Sequence, residues 1–220
     1  AWQVPTGTLA AVIGPNGGGK STLLKALVGL VKPSLGEVRL LGKHPQHGRK
    51  NVAYLSQAEE VDWRFPITVW DVVVQGRWLR RGLWGRLSAH DVEQARAALA
   101  HFDIADLADV QIGSLSGGQR QRVFLARAVA QKAEIILLDE PNTGLDARAQ
   151  HELAETFTRL KDEGRTIVVA THDLDCLTEC FDQVLALKGE VVAQGSPRDV
   201  LTGEILTNLF SRHFPSIRDT

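Results

Sequence analysis

The hydrophobic residues of this chain form short continuous runs rather than alternating patterns. Four such runs lie at residues 8–14, 51–57, 133–140 and 165–172, and the first is followed by leucines at helical spacing over residues 20–30. Continuous apolar strands separated by helices indicate a parallel sheet that is covered on both faces. The pattern therefore predicts an α/β fold with a mainly parallel sheet.

Two further segments have the composition of antiparallel strands beside such a sheet. One is GEVRLLG at residues 36–42, and the other is the pair QVLALKG and EVVAQG within residues 183–195, joined at Gly189. A glycine between two short apolar segments favours a tight turn. We therefore expect antiparallel edge strands next to the parallel core.

Helical periodicity replaces the strand pattern in the middle of the chain. One helical segment opens with Ser88 and Asp91 at capping-box spacing, and its alanines lie on one helical face. We predict a helical subdomain inserted into an α/β core. The whole forms a single domain over residues 1–220, with the core at about 1–75 and 130–220 and the subdomain at about 76–129.

Composition limits the classes of protein to which the chain can belong. Its 220 residues and 44% hydrophobic content are sufficient for one substantial core, and its net charge of -1 gives no overall attraction to nucleic acid or anionic lipid. No apolar run approaches the roughly 18 residues of a membrane span. The two cysteines, Cys176 and Cys180, are too few for a disulfide framework. We expect a soluble globular chain that is compatible with a reducing compartment.

The segment GPNGGGKS at residues 14–21 fits the pattern G-x-x-x-x-G-K-[ST] and lies between a predicted strand and a predicted helix. In this motif the glycines let backbone N–H groups converge on phosphate oxygens, Lys20 reaches the β and γ phosphates, and Ser21 binds Mg²⁺. The alternative is a glycine-rich turn that binds nothing, which the flanking strand and helix disfavour. We expect nucleotide contacts from Gly14, Pro15, Asn16, Gly17, Gly18, Gly19, Lys20, Ser21 and Thr22.

Polar side chains occur where three other predicted strands end. Asp139 and Glu140 close the run IILLDE, while His172 and Gln57 each close another strand. Ligands of open parallel sheets bind at the carboxyl ends of the strands, so these side chains are expected to surround the phosphates. Asp139, with Ser21 and Gln57, is predicted to hold Mg²⁺. Glu140 is predicted to activate the attacking water, with His172 and Gln57 as further catalytic residues, although an acidic pair after a strand is by itself more often a helix cap.

The segment LSGGQ at residues 115–119 also opens a predicted helix, but it contains no lysine. It is the signature of the ABC ATPases, and the order of phosphate loop, Gln57, LSGGQ, LLDEP, TGLD and His172 resembles that family over essentially the whole chain. The resemblance implies a P-loop NTPase (RecA-like) core with an inserted helical subdomain. It also implies ATP and Mg²⁺ as ligands and hydrolysis of ATP as the activity.

In that family two cassettes hold two ATP molecules between them, head to tail, and the signature of one cassette completes the phosphate site of the other. The resemblance therefore implies a homodimer in which Asp146 communicates between the two sites. It also implies contacts to the partner's ATP from Ser116, Gly117, Gly118 and Gln119. The N–H groups at a helix start favour a phosphate that their own chain does not hold.

Two features depart from the family pattern. The loop that ends at Asp146 reads NTGLD, with Thr143 and Gly144 where serine and alanine are usual. The family stacks adenine on an aromatic residue farther upstream of Lys20 than Trp2, so we expect that segment to be missing here and Trp2 to be a poor substitute. Weak ATP binding is the expected consequence.

The stretch AEEVDWRFPITVWDVVVQGRW at residues 58–78 resembles the importers of manganese, zinc or iron within the family. The resemblance implies a transmembrane permease, an extracytoplasmic solute-binding protein and a peripheral position at the cytoplasmic face of the cell membrane. Four aromatic residues of this stretch either contact the permease or fill the core of the helical subdomain, and the sequence leaves both open. They are Trp63, Phe65, Trp70 and Trp78.

Other functions are compatible with parts of the sequence. The same signature occurs in cassettes that serve iron chelates, haem, cobalamin or exported compounds, and in soluble ABC ATPases of DNA repair or translation. The latter usually carry a coiled-coil insertion or a second cassette, and this chain has neither. The arginines after the signature, at positions 120, 122 and 127, are better explained as a polar helix face than as a nucleic-acid surface, so no nucleic-acid partner is expected.

Overall fold

The computed structural model describes residues 1–56, 65–81, 86–174 and 177–210. The strands in these residues are β1 (Leu9–Ile13), β2 (Val52–Leu55), β3 (Ile135–Asp139), β4 (Thr166–Thr171), β5 (Gln183–Leu187) and β6 (Val191–Gly195). The helices are α1 (Lys20–Leu27), α2 (Pro45–Gly48), α3 (Val69–Arg81), α4 (Ala89–His101), α5 (Gly117–Ala130), α6 (Ala147–Asp162), α7 (Leu177–Cys180), α8 (Pro197–Val200) and α9 (Gly203–Phe210). Of these described helices, none combines the length and the apolar content needed to cross a bilayer.

The described strands form one six-stranded sheet in the order β2-β3-β4-β1-β5-β6. Strands β1 to β5 run parallel, and β6 pairs antiparallel with β5. Strands β1, β3 and β4 are buried along their whole length, which explains why their sequences are continuous apolar runs. The predicted mainly parallel sheet with an antiparallel edge is confirmed, and the carboxyl ends of β1, β3 and β4 lie side by side.

Apolar clusters fill both faces of the sheet. On one face, Leu24 of α1 packs in a cluster with Val12 of β1 and Leu137 of β3. On the other face, Leu125 of α5 packs in a larger cluster with Ile136 of β3 and residues of α3, α4 and α6. The two clusters hold the strand ends and the flanking helices in fixed positions, which places the loops at the carboxyl edge of the sheet.

The predicted helix after Ser88 is confirmed as α4. Ser88 N donates to Asp91 Oδ2 (2.9 Å) and Asp91 N donates to Ser88 Oγ (3.3 Å), which is the expected capping box. Asp91 Oδ1 accepts from Arg77 Nε of α3 (3.0 Å), and Arg77 Nη1 donates to Ala130 O at the end of α5 (2.7 Å). These hydrogen bonds join α3, α4 and α5. The boundaries predicted for the helical subdomain, about residues 76–129, stay a prediction.

The prediction of an edge strand at residues 36–42 is wrong. Within the described residues this segment makes only an isolated bridge, between Leu40 and Lys43. Glu37 and Arg39 are exposed and pair with each other, with Nε 3.1 Å from Oε1. Leu40 is buried and Val38 packs against the same apolar cluster. The segment nevertheless has no neighbouring strand in the described part of the chain to supply ladder hydrogen bonds, and buried apolar residues alone do not make a strand.

Candidate nucleotide-binding and hydrolysis site

The loop between β1 and α1 is packed against the end of β5. Gly14 has no room for a side chain, because a Cβ there would overlap the carbonyl oxygen of Leu187. Gly18 N donates to Pro15 O (3.0 Å), and Gly18 O accepts from Gly189 N (2.9 Å). The loop is thereby held in shape by the protein itself, as a preorganised site for phosphate requires.

Helix α1 begins directly after this loop. Gly19, the residue before the helix, has a left-handed φ of 98° that glycine adopts without strain, and it has no side chain with which to cap the helix. The first N–H groups of any helix lack carbonyl partners within the helix. The amide groups of Lys20 and Ser21 are therefore available to an anion at the positive end of the helix dipole.

The ammonium group of Lys20 lies in the middle of the loop. Its side chain is 5% exposed, and Nζ donates to Gly14 O (2.9 Å) and Pro15 O (3.3 Å). Nζ also lies 3.1 Å from Glu140 Oε1. This buried cation is thus paired with a carboxylate of the same chain, and phosphate oxygens can take the place of that carboxylate.

Glu140 follows directly after β3 and lies between a lysine and a histidine. Its backbone N–H donates to Ala170 O of β4 (2.8 Å), and its φ of 50° is a left-handed value that is uncommon for glutamate. Oε2 lies 2.8 Å from His172 Nδ1, while Oε1 faces Lys20 Nζ. The carboxylate is therefore held between the phosphate loop and the end of β4, by a backbone conformation that stores strain.

Asp139 is the last residue of β3, and its side chain is 4% exposed. Oδ2 accepts from the Tyr54 hydroxyl (3.3 Å), and the Ser21 hydroxyl also bonds this carboxylate. Burial raises the pKa of Asp139, and the hydrogen bonds from Ser21 and Tyr54 oppose this rise. Oδ1 is buried and has no hydrogen-bond partner among the residues that the structure describes. A buried carboxylate oxygen of this kind, beside a serine hydroxyl, fits a hard divalent cation such as Mg²⁺.

The LSGGQ segment forms the start of α5 and caps this helix by itself. Gln119 N donates to Ser116 Oγ (3.3 Å), and Ser116 N donates to Gln119 Oε1 (2.9 Å). Ser116 and Gly117 are exposed. Since Ser116 uses its oxygen to accept within the cap, its hydroxyl hydrogen remains to donate to an acceptor outside the chain.

The structure brings the signature together with Asp146. A surface groove of about 460 Å³ is bordered by Ser116, Asp146 and Arg148, and none of the loop residues 14–22, all of them described, borders it. Asp146 caps α6, since its Oδ1 accepts from Ala149 N (2.8 Å). Within the described residues, the predicted catalytic side chains thus cluster around Lys20, and the signature groove does not include the phosphate loop.

Two residues with predicted roles, Gln57 and Trp63, lie outside the described residues, as does Cys176. The roles of Gln57 in magnesium binding and catalysis therefore stay predictions. Trp2 is described, and it packs, partly buried, against the apolar cluster that contains Leu24.

The described aromatic residues of the 58–78 stretch divide between the surface and the core. Phe65 is 65% exposed and Trp78 is 44% exposed, whereas Trp70 packs against the main apolar cluster. The core interpretation is confirmed for Trp70, whereas contact of the exposed Phe65 and Trp78 with a permease stays a prediction.

The three arginines of α5 have different partners. Arg122 Nη2 lies 2.6 Å from Glu152 Oε2 of α6, as expected of a polar helix face. Arg120 donates to backbone carbonyls just before the helix. Arg127 instead turns towards the sheet and donates to Tyr54 O (3.4 Å), so the prediction of a polar face is wrong for this residue. Arg127 lies on the same helical face as Val123 and Ala130, which are both buried, and this explains the difference.

Sequence reasoning missed Tyr54, whose hydroxyl contacts Asp139. Tyr54 is the single tyrosine of the chain and the one polar-tipped residue of β2, VAYL. A hydroxyl near the end of an otherwise apolar strand is the signal that could have identified it, because a partly buried tyrosine hydroxyl usually has a hydrogen-bond partner.

Comparison with known proteins identifies the family. The family described as ABC transporter matches residues 1–143. The chain is 42% identical over 217 residues to the manganese transport system ATP-binding protein MntB of Bacillus subtilis, covering 99% of this chain and 87% of that relative. It is 41% identical over 214 residues to the zinc transport system ATP-binding protein TroB of Treponema pallidum, covering 97% of this chain and 80% of that relative.

A solved structure supports the same assignment. The ADP conformation of an ATP-binding cassette of an ABC transporter matches with a TM-score of 0.82 and 25% sequence identity, covering 94% of this chain and 89% of that chain. The fold class expected from the sequence is confirmed by this likeness. The resemblance noted in the sequence is confirmed as well, and the chain belongs to the ABC transporter family as one of its ATP-binding cassettes.

Proposed function

We propose that this chain is the ATP-hydrolysing subunit of a bacterial importer of manganese, zinc or iron ions. The names of its relatives, a manganese and a zinc transport system ATP-binding protein, support transport of metal ions. The observation that carries the proposal of hydrolysis is the position of Glu140 between Lys20 and His172. A carboxylate held beside a phosphate-binding lysine is suited to activating water for attack on a γ-phosphate.

In this proposal, the phosphates of ATP bind at loop residues 14–22. Lys20 exchanges its 3.1 Å contact with Glu140 for phosphate oxygens, which carry more negative charge than one carboxylate. The exchange releases Glu140 to bind water. Asp139 and Ser21, together with Gln57, would hold Mg²⁺, and the bound ion would offset the negative charge of the phosphates during transfer.

Hydrolysis then requires one proton transfer and one phosphoryl transfer. Glu140 accepts a proton from water as the water oxygen attacks the γ phosphorus. The bond between that phosphorus and the oxygen bridging to the β-phosphate breaks, which yields ADP and inorganic phosphate. His172, through its 2.8 Å contact with Oε2, keeps the carboxylate of Glu140 in place.

The proposed active form contains two copies of the chain. The separation of the signature groove from the phosphate loop supports a site that is completed by a second chain. A twofold arrangement places Ser116, Gly117, Gly118 and Gln119 of each chain against the ATP held by the other, with Asp146 beside the shared boundary. Each chain alone is then a poor enzyme.

The proposed assembly also contains a transmembrane permease and an extracytoplasmic solute-binding protein, with this chain bound peripherally at the cytoplasmic face of the membrane. The exposed side chains of Phe65 and Trp78 support a docking surface on α3 and the residues before it. Family membership supports coupling of ATP hydrolysis in this chain to movement in such a permease.

Metal-stimulated turnover tests the transport proposal. The chain is coexpressed with a candidate multi-span permease and a candidate solute-binding protein, and the complex is reconstituted in vesicles. We expect manganese, zinc or iron loaded on the binding protein to raise ATP turnover, and a Glu140→Gln complex to show none. Stimulation by an iron chelate, haem or cobalamin, but by no free metal ion, would contradict metal-ion import while leaving ATP hydrolysis intact.

A further inference from the structure

The hydroxyl of Tyr54 meets the buried carboxylate of Asp139 across two paired strands. Tyr54 lies opposite Leu137 in the parallel pairing of β2 with β3, and Asp139 follows Leu137 by two positions. Side chains two positions apart on a strand point to the same face of the sheet. Tyr54 Oη donates to Asp139 Oδ2 at 3.3 Å. The contact is therefore set by the register of the sheet rather than by a loop.

The ring of Tyr54 is held in place by the protein itself. It packs against the apolar cluster that contains Leu24 and Leu137. The backbone carbonyl of Tyr54 accepts from Arg127 Nη2 (3.4 Å), so α5 contacts the same residue through its main chain. These contacts involve no ligand, and the hydroxyl is therefore in position before a nucleotide or an ion binds.

Asp139 benefits from such a contact because a carboxylate can rotate about its last torsion. That torsion is broad in aspartate, so the rotamer alone does not set the direction of each oxygen. The second oxygen, Oδ1, is buried and has no hydrogen-bond partner among the residues that the structure describes. A bond that fixes Oδ2 therefore also fixes the direction of the oxygen that is left for a cation.

Two hydroxyl groups bond Asp139, and they differ in their other roles. The hydroxyl of Ser21 is one of them, and Ser21 is itself a predicted ligand of Mg²⁺, so its oxygen would be shared with the ion. The phenol of Tyr54 is not among the carboxylate, carbonyl and water ligands that Mg²⁺ prefers. Tyr54 is thus the donor that can hold the carboxylate both with and without the ion.

We propose that Tyr54 is a positioning residue for magnesium binding, which holds the carboxylate of Asp139 so that Oδ1 faces the ion. Groups that bond a metal ligand from behind typically change metal affinity by about 10- to 100-fold. Because 3.3 Å is long for a bond donated by a hydroxyl, we expect an effect at the lower end of this range. The inference rests on the proposed binding of nucleotide and Mg²⁺, but it does not require the two-chain form.

The test measures how Mg²⁺ affects binding of a fluorescent ADP analogue to the full chain carrying Tyr54→Phe, which removes only the hydroxyl. ADP avoids hydrolysis during the titration. We expect the Mg²⁺ concentration at half-maximal binding to rise about tenfold, while the affinity for the analogue in EDTA stays within about twofold of the wild-type value. In turnover of ATP, excess Mg²⁺ should restore kcat of Tyr54→Phe to within about twofold of wild type.

Thr166→Val is the matched control, since it also removes a buried hydroxyl from the sheet. Thr166 is 5% exposed, and its Oγ1 accepts from Gly7 N (3.1 Å) at the start of β4, away from the carboxyl edge of the sheet. This variant should leave the Mg²⁺ concentration at half-maximal binding unchanged. An equal rise in both variants, or no rise in Tyr54→Phe, would overturn the proposal. If Tyr54→Phe does not fold, Tyr54→Met, which fills the apolar space without a hydroxyl, is measured against the same control.

Asp139→Asn separates this inference from the proposed function on which it rests. If the magnesium site is as proposed, binding of the analogue to Asp139→Asn should lose most of its dependence on Mg²⁺. A response to Mg²⁺ equal to that of wild type, or wild-type binding that does not respond to Mg²⁺, would contradict the proposed site and the inference with it. Loss of the response in Asp139→Asn, with a wild-type response in Tyr54→Phe, would overturn the role of Tyr54 alone.

Discussion

Two helices of this chain begin at glycine-bearing sequences that bind phosphate in the ABC family, and their starts are built differently. Helix α1 follows Gly19, which has no side chain, and its first residue Lys20 is buried against Glu140. Helix α5 follows Ser116, whose capping box with Gln119 satisfies the helix start, and this start is exposed.

This difference between the two helix starts explains how one chain can contain two phosphate-binding segments without binding two nucleotides. An uncapped helix start in the core is completed by an anionic ligand. A capped and exposed start is stable without one, because the cap alone contributes about 1 kcal/mol. The signature can therefore remain exposed in a single chain, and in the proposed two-chain form it binds phosphate only when a second chain presents it.

Removing the carboxylate of Glu140 should produce the largest effect on turnover. Glu140→Gln keeps the size of the side chain but cannot accept a proton from water, so we expect kcat to fall by about 10²–10⁴ with ATP still bound. Steady-state turnover and equilibrium binding of a fluorescent ATP analogue measure the two properties. Glu204→Gln, in the exposed first turn of α9, is the control and should keep wild-type turnover. Wild-type turnover in Glu140→Gln would exclude Glu140 as the base.

Replacing one glycine of each segment by alanine should change the free energy of unfolding in opposite directions at the two helix starts. Gly14→Ala would place a Cβ onto Leu187 O and is expected to lower the free energy of unfolding by about 1–3 kcal/mol. Gly118→Ala would place its Cβ 3.6 Å from that of Ala149, an ordinary contact, and should raise stability by about 0.5 kcal/mol. Urea unfolding at fixed pH measures both.

Turnover of the same two variants sharpens the comparison. Although Gly118→Ala is expected to be the more stable chain, its added methyl group lies where the phosphate of a second chain would approach, so its turnover should fall. Turnover equal to that of wild type would show that this glycine is not a point of close approach.

The smallest expected effect concerns the buried charge of Asp139. Because burial raises its pKa, the folded chain holds this proton more tightly than the unfolded chain does. Stability therefore falls as the pH rises through the folded pKa, and the cost of the charge is fully present above it. We expect Asp139→Asn to raise the thermal midpoint at neutral pH, with a gain that disappears in acid.

Thermal unfolding across the pH range, without nucleotide or magnesium, checks this expectation. Asp146→Asn, at the exposed cap of α6, is the matched control. Equal gains in the two variants, or a gain in Asp139→Asn that persists in acid, would show that burial of the charge is not the cause.

Burial on two faces explains which parts of the fold the sequence could predict. Strands β1, β3 and β4 are continuous apolar runs because helices cover both of their faces, and the same runs place Asp139, Glu140 and His172 at one edge. The phosphate loop and the signature were predictable as well, because each depends on residues that are adjacent in sequence.

Contacts between distant segments could not be predicted from local pattern. The strand expected at residues 36–42 fails because strand formation requires a partner, which no local sequence specifies. Tyr54 meets Asp139 across 85 positions, and Arg127 meets Tyr54 across 73. The first contact follows from the pairing of β2 with β3 and the second from the packing of α5 against β2, and local sequence specifies neither.

Mixing two inactive chains tests the central claim, that the signature of one chain completes the ATP site of another. Lys20→Ala removes the phosphate lysine, and Ser116→Arg blocks the signature, so each variant alone should show no turnover. A mixed pair contains one site with both Lys20 and Ser116 intact, one from each chain. We predict that ATP turnover reappears on mixing, and a mixture no more active than the two separate chains would contradict the claim.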